Sequence, residues 1–182
     1  MRKSLLFILS VLLCACLCTL AAFAAEQTVY VRDGGTGDGS SAASPLGTLN
    51  AAVSALNGKG GTVVACGDVT ISDITTIPEQ SGDFTLTADG GRLLQGSRLQ
   101  LGKNTNDNTF TFDLPIVMTK TYPVFIFGGF NSVHFTDKCV VTNNGANGRL
   151  HFMGGALAAN GTANADLVTT LPYTVTVDGG DF

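Results

Sequence analysis

The chain has 182 residues, 10 lysines and arginines against 14 aspartates and glutamates, 23 glycines and no tryptophan. So few charges, scattered without a Lys/Arg cluster, exclude the phosphate-neutralising surface that a nucleic-acid partner needs. Low charge with abundant Gly, Thr, Asn and Asp points instead to many short strands joined by turns.

Met1-Arg2-Lys3 is a basic start, Leu5 to Leu20 an almost unbroken apolar run, and Ala22-Phe23-Ala24 a small-x-small cleavage site. This predicts a secretory signal peptide over 1–24, cut after Ala24 or Ala25, and an extracellular or cell-surface protein. The run is short for a membrane span. Membrane contact is therefore expected only through the signal peptide or through lipidation at Cys16. Leu13-Cys14-Ala15-Cys16 loosely matches a lipobox, but the tether it would leave is greasy where a tether should be polar. Loss of Arg2 and Lys3 leaves eight basic residues against 14 acids, a net −6. Three of the five cysteines go with the signal, leaving Cys66 and Cys139.

The mature chain opens with an alternating strand over Thr28–Arg32 and a glycine-rich loop, Asp33 to Ser41, whose backbone is expected to be nearly unconstrained. One helix follows. Ser44 is the expected N-cap, Pro45 the first helical residue, and Leu46, Leu49, Val53 and Leu56 share one face. Asn57-Gly58 supplies the stop, giving a helix over Pro45–Asn57. Residues 25–61 thus form an N-terminal strand and capping helix. From 62 to 182 the pattern is strand and turn. Strands are expected over Thr62–Cys66, Val69–Ser72, Phe84–Ala88, Arg98–Leu101, Thr109–Phe112, Ile116–Thr119, Pro123–Phe127, Ser132–Thr136, Cys139–Thr142, Leu150–Met153 and Tyr173–Val177.

Four of these segments end in paired glycines. Leu86–Gly91, Val124–Gly129, Leu150–Gly155 and Val175–Gly180 place their first glycines at Gly90, Gly128, Gly154 and Gly179. The last two steps are almost equal and the first is longer. A short strand recurring at a nearly fixed period is the mark of a solenoid. Aligned on the glycines, Ala88, Ile126, Phe152 and Val177 stand two places earlier, and Leu86, Val124, Leu150 and Val175 four places earlier. All eight are apolar, the inward face of a period-two strand. Thr87, Phe125, His151 and Thr176 alternate with them on the outside. Stacked in parallel, the inward residues would form one continuous column.

Tyr30-Val-Arg-Asp-Gly-Gly, Gly37-Asp-Gly, Ser44-Pro-Leu-Gly-Thr-Leu, the Ala-rich helix and Gly60-Gly-Thr-Val-Val occur in this order. The series resembles the N-terminal opening of secreted bacterial right-handed parallel β-helix proteins, the pectate-lyase-like group and its non-enzymatic surface relatives. The resemblance covers essentially the whole mature chain. It implies an all-β right-handed parallel β-helix whose first coil is capped by the helix, which also shields an open strand edge. A β-sandwich is the alternative fold. The chain ends at Asp181-Phe182 just after a repeat unit, without a second cap. The expectation is therefore an N-terminal piece, truncated at the C-terminal end of its coils.

No catalytic, cofactor or metal residue can be assigned. Cys66 and Cys139 lie about three coils apart, or roughly 14 Å along a stack at about 4.8 Å per strand, which is beyond disulfide reach. Both are expected to be buried free thiols. His134 and His151 should point outward on different faces, as ordinary surface histidines without a carboxylate in register. Asp33, Asp38, Asp89, Asp107 and Asp178 have the chemistry for calcium. Their positions beside glycine or asparagine are also what turns require, and no calcium-loop spacing is present. Phe125, Phe130 and Tyr122 have the chemistry to stack on sugar rings, whereas Phe127 and Met153, immediately before their glycines, are placed to pack under a turn. Packing is the expectation for all five. The expected role is structural, adhesive or glycan-binding at the cell surface, with an extracellular polysaccharide or host glycan as partner. The alternative is the opening section of a polysaccharide lyase or glycoside hydrolase whose catalytic coils lie beyond residue 182.

Overall fold

A computed structural model of the chain describes residues 26–102, 108–118, 123–128, 132–143, 149–153 and 174–178. The signal segment and the chain end after 178 lie outside them. In chain order the elements are β1 (Thr28–Val31), α1 (Leu49–Ala55), β2 (Gly61–Ala65), β3 (Val69–Ile71), β4 (Thr75–Ile77), β5 (Phe84–Ala88), β6 (Leu93–Gln95) and β7 (Leu99–Leu101). They continue with β8 (Thr109–Asp113), β9 (Ile116–Met118), β10 (Pro123–Gly128), β11 (Ser132–Phe135), β12 (Val141–Asn143), β13 (Arg149–Met153) and β14 (Thr174–Val177).

The strands form three sheets, in the orders β1-β2-β5-β8-β11-β14, β4-β7-β10-β13 and β3-β6-β9-β12. Every pairing among the described residues is parallel. A β-sandwich is built from antiparallel sheets, so this topology is not one. From β2 onward each strand pairs with the one three places on. Val69, Leu93, Ile116 and Val141 are successive partners in one sheet, and Thr75, Leu99, Phe125 and Leu150 in another, at a nearly constant step along the sequence.

Parallel in-register pairing sets side chains above one another about 4.8 Å apart, so alternation within a strand becomes columns across the sheet. Val29, Val63, Leu86, Phe112 and Phe135 are successive partners and all are buried. Phe84, Phe110 and Val133 form a second column. The Phe84 and Phe110 rings stack at 4.8 Å and 8°, those of Phe112 and Phe135 at 5.2 Å and 6°. An edge contact between Phe110 and Phe112, at 4.5 Å and 62°, joins the two columns. Residues of all three sheets and of α1 belong to the same core cluster.

The helix is shorter than its sequence suggests. Leu46 is extended, because it forms a parallel bridge to Val31: its amide donates to Tyr30 O (2.9 Å) and its carbonyl accepts from Arg32 N (3.0 Å). The N-cap is therefore Thr48, not Ser44, and its hydroxyl accepts from Ala51 N at 3.1 Å. Leu49, Ala52, Val53 and Leu56 are buried, and Asn57 and Gly58 stop the helix with φ of 52° and 71°. The glycine loop is not unconstrained. A Cβ on Gly37 would fall 2.2 Å from the Ser44 carbonyl carbon, so this glycine lets two stretches of backbone touch.

Two further expectations are corrected. The four Gly-Gly segments do not share one column: β5 and β14 belong to the six-stranded sheet, β10 and β13 to a four-stranded one. The segments Val124–Phe127 and Leu150–Met153 do pair in parallel, but one residue out of the expected register. After an irregularity between Pro123 and Phe125, Phe125 pairs with Leu150 and Phe127 with Phe152. The Val-Phe-Ile-Phe run is apolar at every position, so it cannot specify register by alternation. Strands β4 and β6 are not among the expected ones, because each puts a polar residue on its buried side, Thr75 (3% exposed) and Gln95 (2% exposed).

Each sheet is closed at its first strand. The 39–46 segment covers β1, with Tyr30 N donating to Gly39 O at 2.9 Å. Asp33 substitutes for a neighbouring strand at β3: its carboxylate accepts from Thr70 N (2.8 Å) and from the Thr70 hydroxyl. The helix lies on β4, and also touches β1 and β3. Replacing Asp33 by Ala leaves the Thr70 amide to water at an open edge. The expected cost is about 1 kcal/mol, read as a lower urea midpoint at unchanged slope. An unchanged midpoint would mean that the carboxylate closes nothing.

Candidate functional site

The outer face of the six-stranded sheet gathers the polar chemistry of the described residues. Inward Val29, Val63, Leu86 and Phe112 leave their neighbours outward. Thr28, Thr62, Thr85, Thr111 and His134 are therefore successive partners in one row, and the backbone register continues from His134 to Thr176 on β14. Two places further along the strands Thr87 pairs with Asp113. Thr136 and Asp178 continue that second row just past β11 and β14, held by Thr136 N to Phe112 O and Asp178 N to Phe135 O, each 3.0 Å.

Asp113 is the best-connected group on this face. Its carboxylate accepts from the hydroxyls of Thr136 (2.6 Å) and Thr87 (2.7 Å) and from Lys138 Nζ (3.0 Å). Burial alone would raise its pKa. The bonds from Thr136, Thr87 and Lys138, with the lysine charge, outweigh burial and hold it below the usual carboxylate range. Lys138 fills the place a cation would take. One signal of this cluster is present in the sequence, though no local motif contains it. Thr87 and Asp113 are 26 residues apart, and Asp113 and Thr136 are 23 residues apart, close to the repeat step itself.

His134 Nε2 lies 2.6 Å from Asp178 Oδ2. An ionised carboxylate only accepts, so the imidazole donates through Nε2. Contrary to expectation, a carboxylate thus orients this histidine. It stands just past the end of the next strand, 44 residues away, whereas the residue in register with His134 is Thr176. His151 lies on β13, in a different sheet, as expected.

The other aspartates have local duties. Asp33 closes β3. Asp38 takes bonds from the Ser40 hydroxyl and amide and from Ser44, which bring its carboxyl down to about 2. Asp89 is exposed, and its amide donates to Ala65 O at 3.0 Å. Asp107, Tyr122 and Phe130 lie outside the described residues, as do the side chains of Phe125, Phe127, His151 and Met153. No group of three or more His, Cys, Asp or Glu able to hold a metal occurs among the described residues.

Both cysteines are free. Cys139 is buried, and that burial, with the Asp113 charge, pushes its thiol up to about 12. Cys66 is only partly buried, contrary to expectation, and its thiol donates to Val31 O at 3.5 Å.

A cleft of about 370 Å³ adjoins the first strands of the face, lined by Glu26, Gln27, Lys59, Asp83 and a floor of glycines. Glu26 accepts from the Thr62 hydroxyl (3.2 Å), which ties the cleft to the threonine row, and Asp83 accepts from the Thr109 backbone amide (2.8 Å). No protein-family model, curated protein or solved structure matches this chain.

Two measurements probe this region. A depressed carboxyl contributes stability that is present above its unfolded pKa, about 3.9, and is lost as pH falls through the folded value. Asp113→Asn should therefore cost about 1–2 kcal/mol at pH 7, and the gap between variant and parent should close below pH 4. A gap independent of pH would show that the charge is not what matters. Maleimide at pH 8 should spare Cys139 in the folded protein and label it in urea, by intact mass; fast labelling of the folded protein at Cys139 would contradict its burial.

Proposed function

We propose that the chain is a right-handed parallel β-helix, exported through a signal peptide over 1–24, that serves at the cell surface in a structural or adhesive role and binds glycans. Pairing of each strand with the third one on, at a nearly constant sequence step, supports the solenoid. Parallel crossovers are almost always right-handed, which supports the hand. In such a fold the 26–58 segment is the N-terminal cap.

The observation that carries the glycan reading is the row Thr28–Thr62–Thr85–Thr111–His134 on the outside of the six-stranded sheet. A hydroxyl both donates and accepts, as sugar hydroxyls do. Groups fixed to a regular backbone lose little freedom on binding, which favours recognition by many weak bonds. Asp113 is already engaged by three donors and His134 by Asp178, which favours binding over acid–base chemistry at this face.

The test is export of the full chain from a bacterial host, followed by affinity electrophoresis in gels containing different soluble polysaccharides. The mature protein should begin at Ala25 or Glu26, and at least one polysaccharide should retard it. His134→Ala should weaken that retardation several-fold with circular dichroism unchanged. Retention in the cytoplasm, a lipidated N-terminal Cys16, or free migration in every gel would each refute its part. Release of new reducing or unsaturated ends from a polysaccharide would establish the enzymatic alternative instead.

A further inference from the structure

The charge around the threonine row narrows the ligand, on the premise that this face binds glycans. Acids surround it: Glu26 and Asp83 at the cleft end, Asp113 within the second row, and Asp178 beyond β11. The cations beside the row are Lys59 in the cleft wall and Lys138, and Lys138 is committed to Asp113 at 3.0 Å. His134 is committed to Asp178. Glu26, Asp83, Asp113 and Asp178 against Lys59 and Lys138 leave an excess of two negative charges along the face, in a chain of net negative charge. Arg32 and Asp89, just past the ends of β1 and β5, offset one another and leave that excess unchanged.

The second constraint is geometric. The row places one hydroxyl on each successive strand, about 4.8 Å apart. Its line runs across the strands, and four threonines precede His134 without interruption. A ligand that uses the whole row must present hydrogen-bonding groups at a similar repeat along an extended line. A flexible or branched oligosaccharide does not; an extended β-linked polymer of hexoses, with one sugar per strand, does.

We infer that the face selects an uncharged, extended β-linked polysaccharide and disfavours polyuronates. A polyuronate carries one carboxylate per sugar and would set a row of negative charges beside a face that already has an excess of two. At physiological salt the screening length is about 8 Å, which does not remove repulsion between groups in contact. A neutral chain meets no such barrier and exchanges its water bonds for bonds to the threonine hydroxyls. Threonine adds a methyl beside each hydroxyl, which gives the row an apolar component for the C–H faces of the sugars.

The experiment compares the full-length exported protein with its Thr85→Val/Thr111→Val variant by affinity electrophoresis, in gels containing a soluble mixed-linkage β-glucan or polygalacturonate. Valine keeps the shape and the strand preference of threonine, and circular dichroism with thermal melting checks that the variant is folded. The parent should be retarded by β-glucan at least tenfold more strongly than by polygalacturonate at 150 mM salt. The variant should lose most of the β-glucan retardation. Stronger retardation by polygalacturonate would overturn the inference while leaving glycan binding intact. Retardation by neither polymer would overturn both. An unchanged β-glucan affinity in a folded variant would remove the threonine row from the site. If the double variant proves unfolded, Thr85→Val alone carries the comparison, with a several-fold loss expected.

Discussion

The rest of the molecule depends on parallel pairing in register. Once β2, β5, β8 and β11 align residue for residue, the choice made at one position is repeated on the strands above and below it. Apolar residues then bury one another as columns, and the phenylalanine stacks at 4.8 and 5.2 Å are the densest example. The same register lays the outward threonines in a row. Core and candidate site are thus two sides of a single constraint, and neither needs a long helix or a disulfide to hold it.

Such an arrangement creates open edges, and the first edge of each sheet is dealt with differently. A backbone bridge at Leu46 covers β1, a carboxylate at Asp33 covers the edge of β3 at Thr70, and a seven-residue helix lies beside β4. In the first two cases a strand amide finds an acceptor outside the sheet. This explains why the glycine-rich segment is tightly held. Gly35 and Gly37, which carry no side chain, let this backbone lie against 44–46, and the bonds made there close β1.

Much of the fold was legible in the sequence because alternation is a strong signal. Phe84–Ala88, Thr109–Asp113 and Ser132–Phe135 alternate cleanly, and their expected strands agree with the structure to within a residue. β4 and β6 have three residues each, and with a polar residue among them too few apolar positions remain to mark a strand. Gln95 and Thr75 mislead because their polar atoms suggest an exterior that they do not occupy. Of the paired glycines, Gly90-Gly91 lies among the described residues and is a turn: Gly90 has φ of 76°, and a Cβ on Gly91 would fall 2.3 Å from Gly67 O. Yet the Gly-Gly pattern merges strands of two sheets, because paired glycines do not say to which sheet the strand before them belongs. The spacing of Leu46 suits the helix, whereas the unpaired edge of β1 draws it into an extended bridge.

The candidate site was far less legible, for a reason built into the topology. Its members come from strands separated by a whole repeat, so no short window contains them. Asp113 meets Thr87 across 26 residues and Lys138 across 25, and His134 meets Asp178 across 44. A search for local motifs finds only turn residues and isolated histidines. Reading the sequence at the repeat step instead brings Thr62, Thr85 and Thr111 into line. The outer positions are then free to change without touching the core, because alternation keeps the two sets of side chains on opposite sides of the sheet. A slip of one residue would do the reverse, exposing the phenylalanines and burying Asp113 and His134 at once. That coupled penalty keeps a regular polar face in place over a core with no covalent cross-link among the described residues.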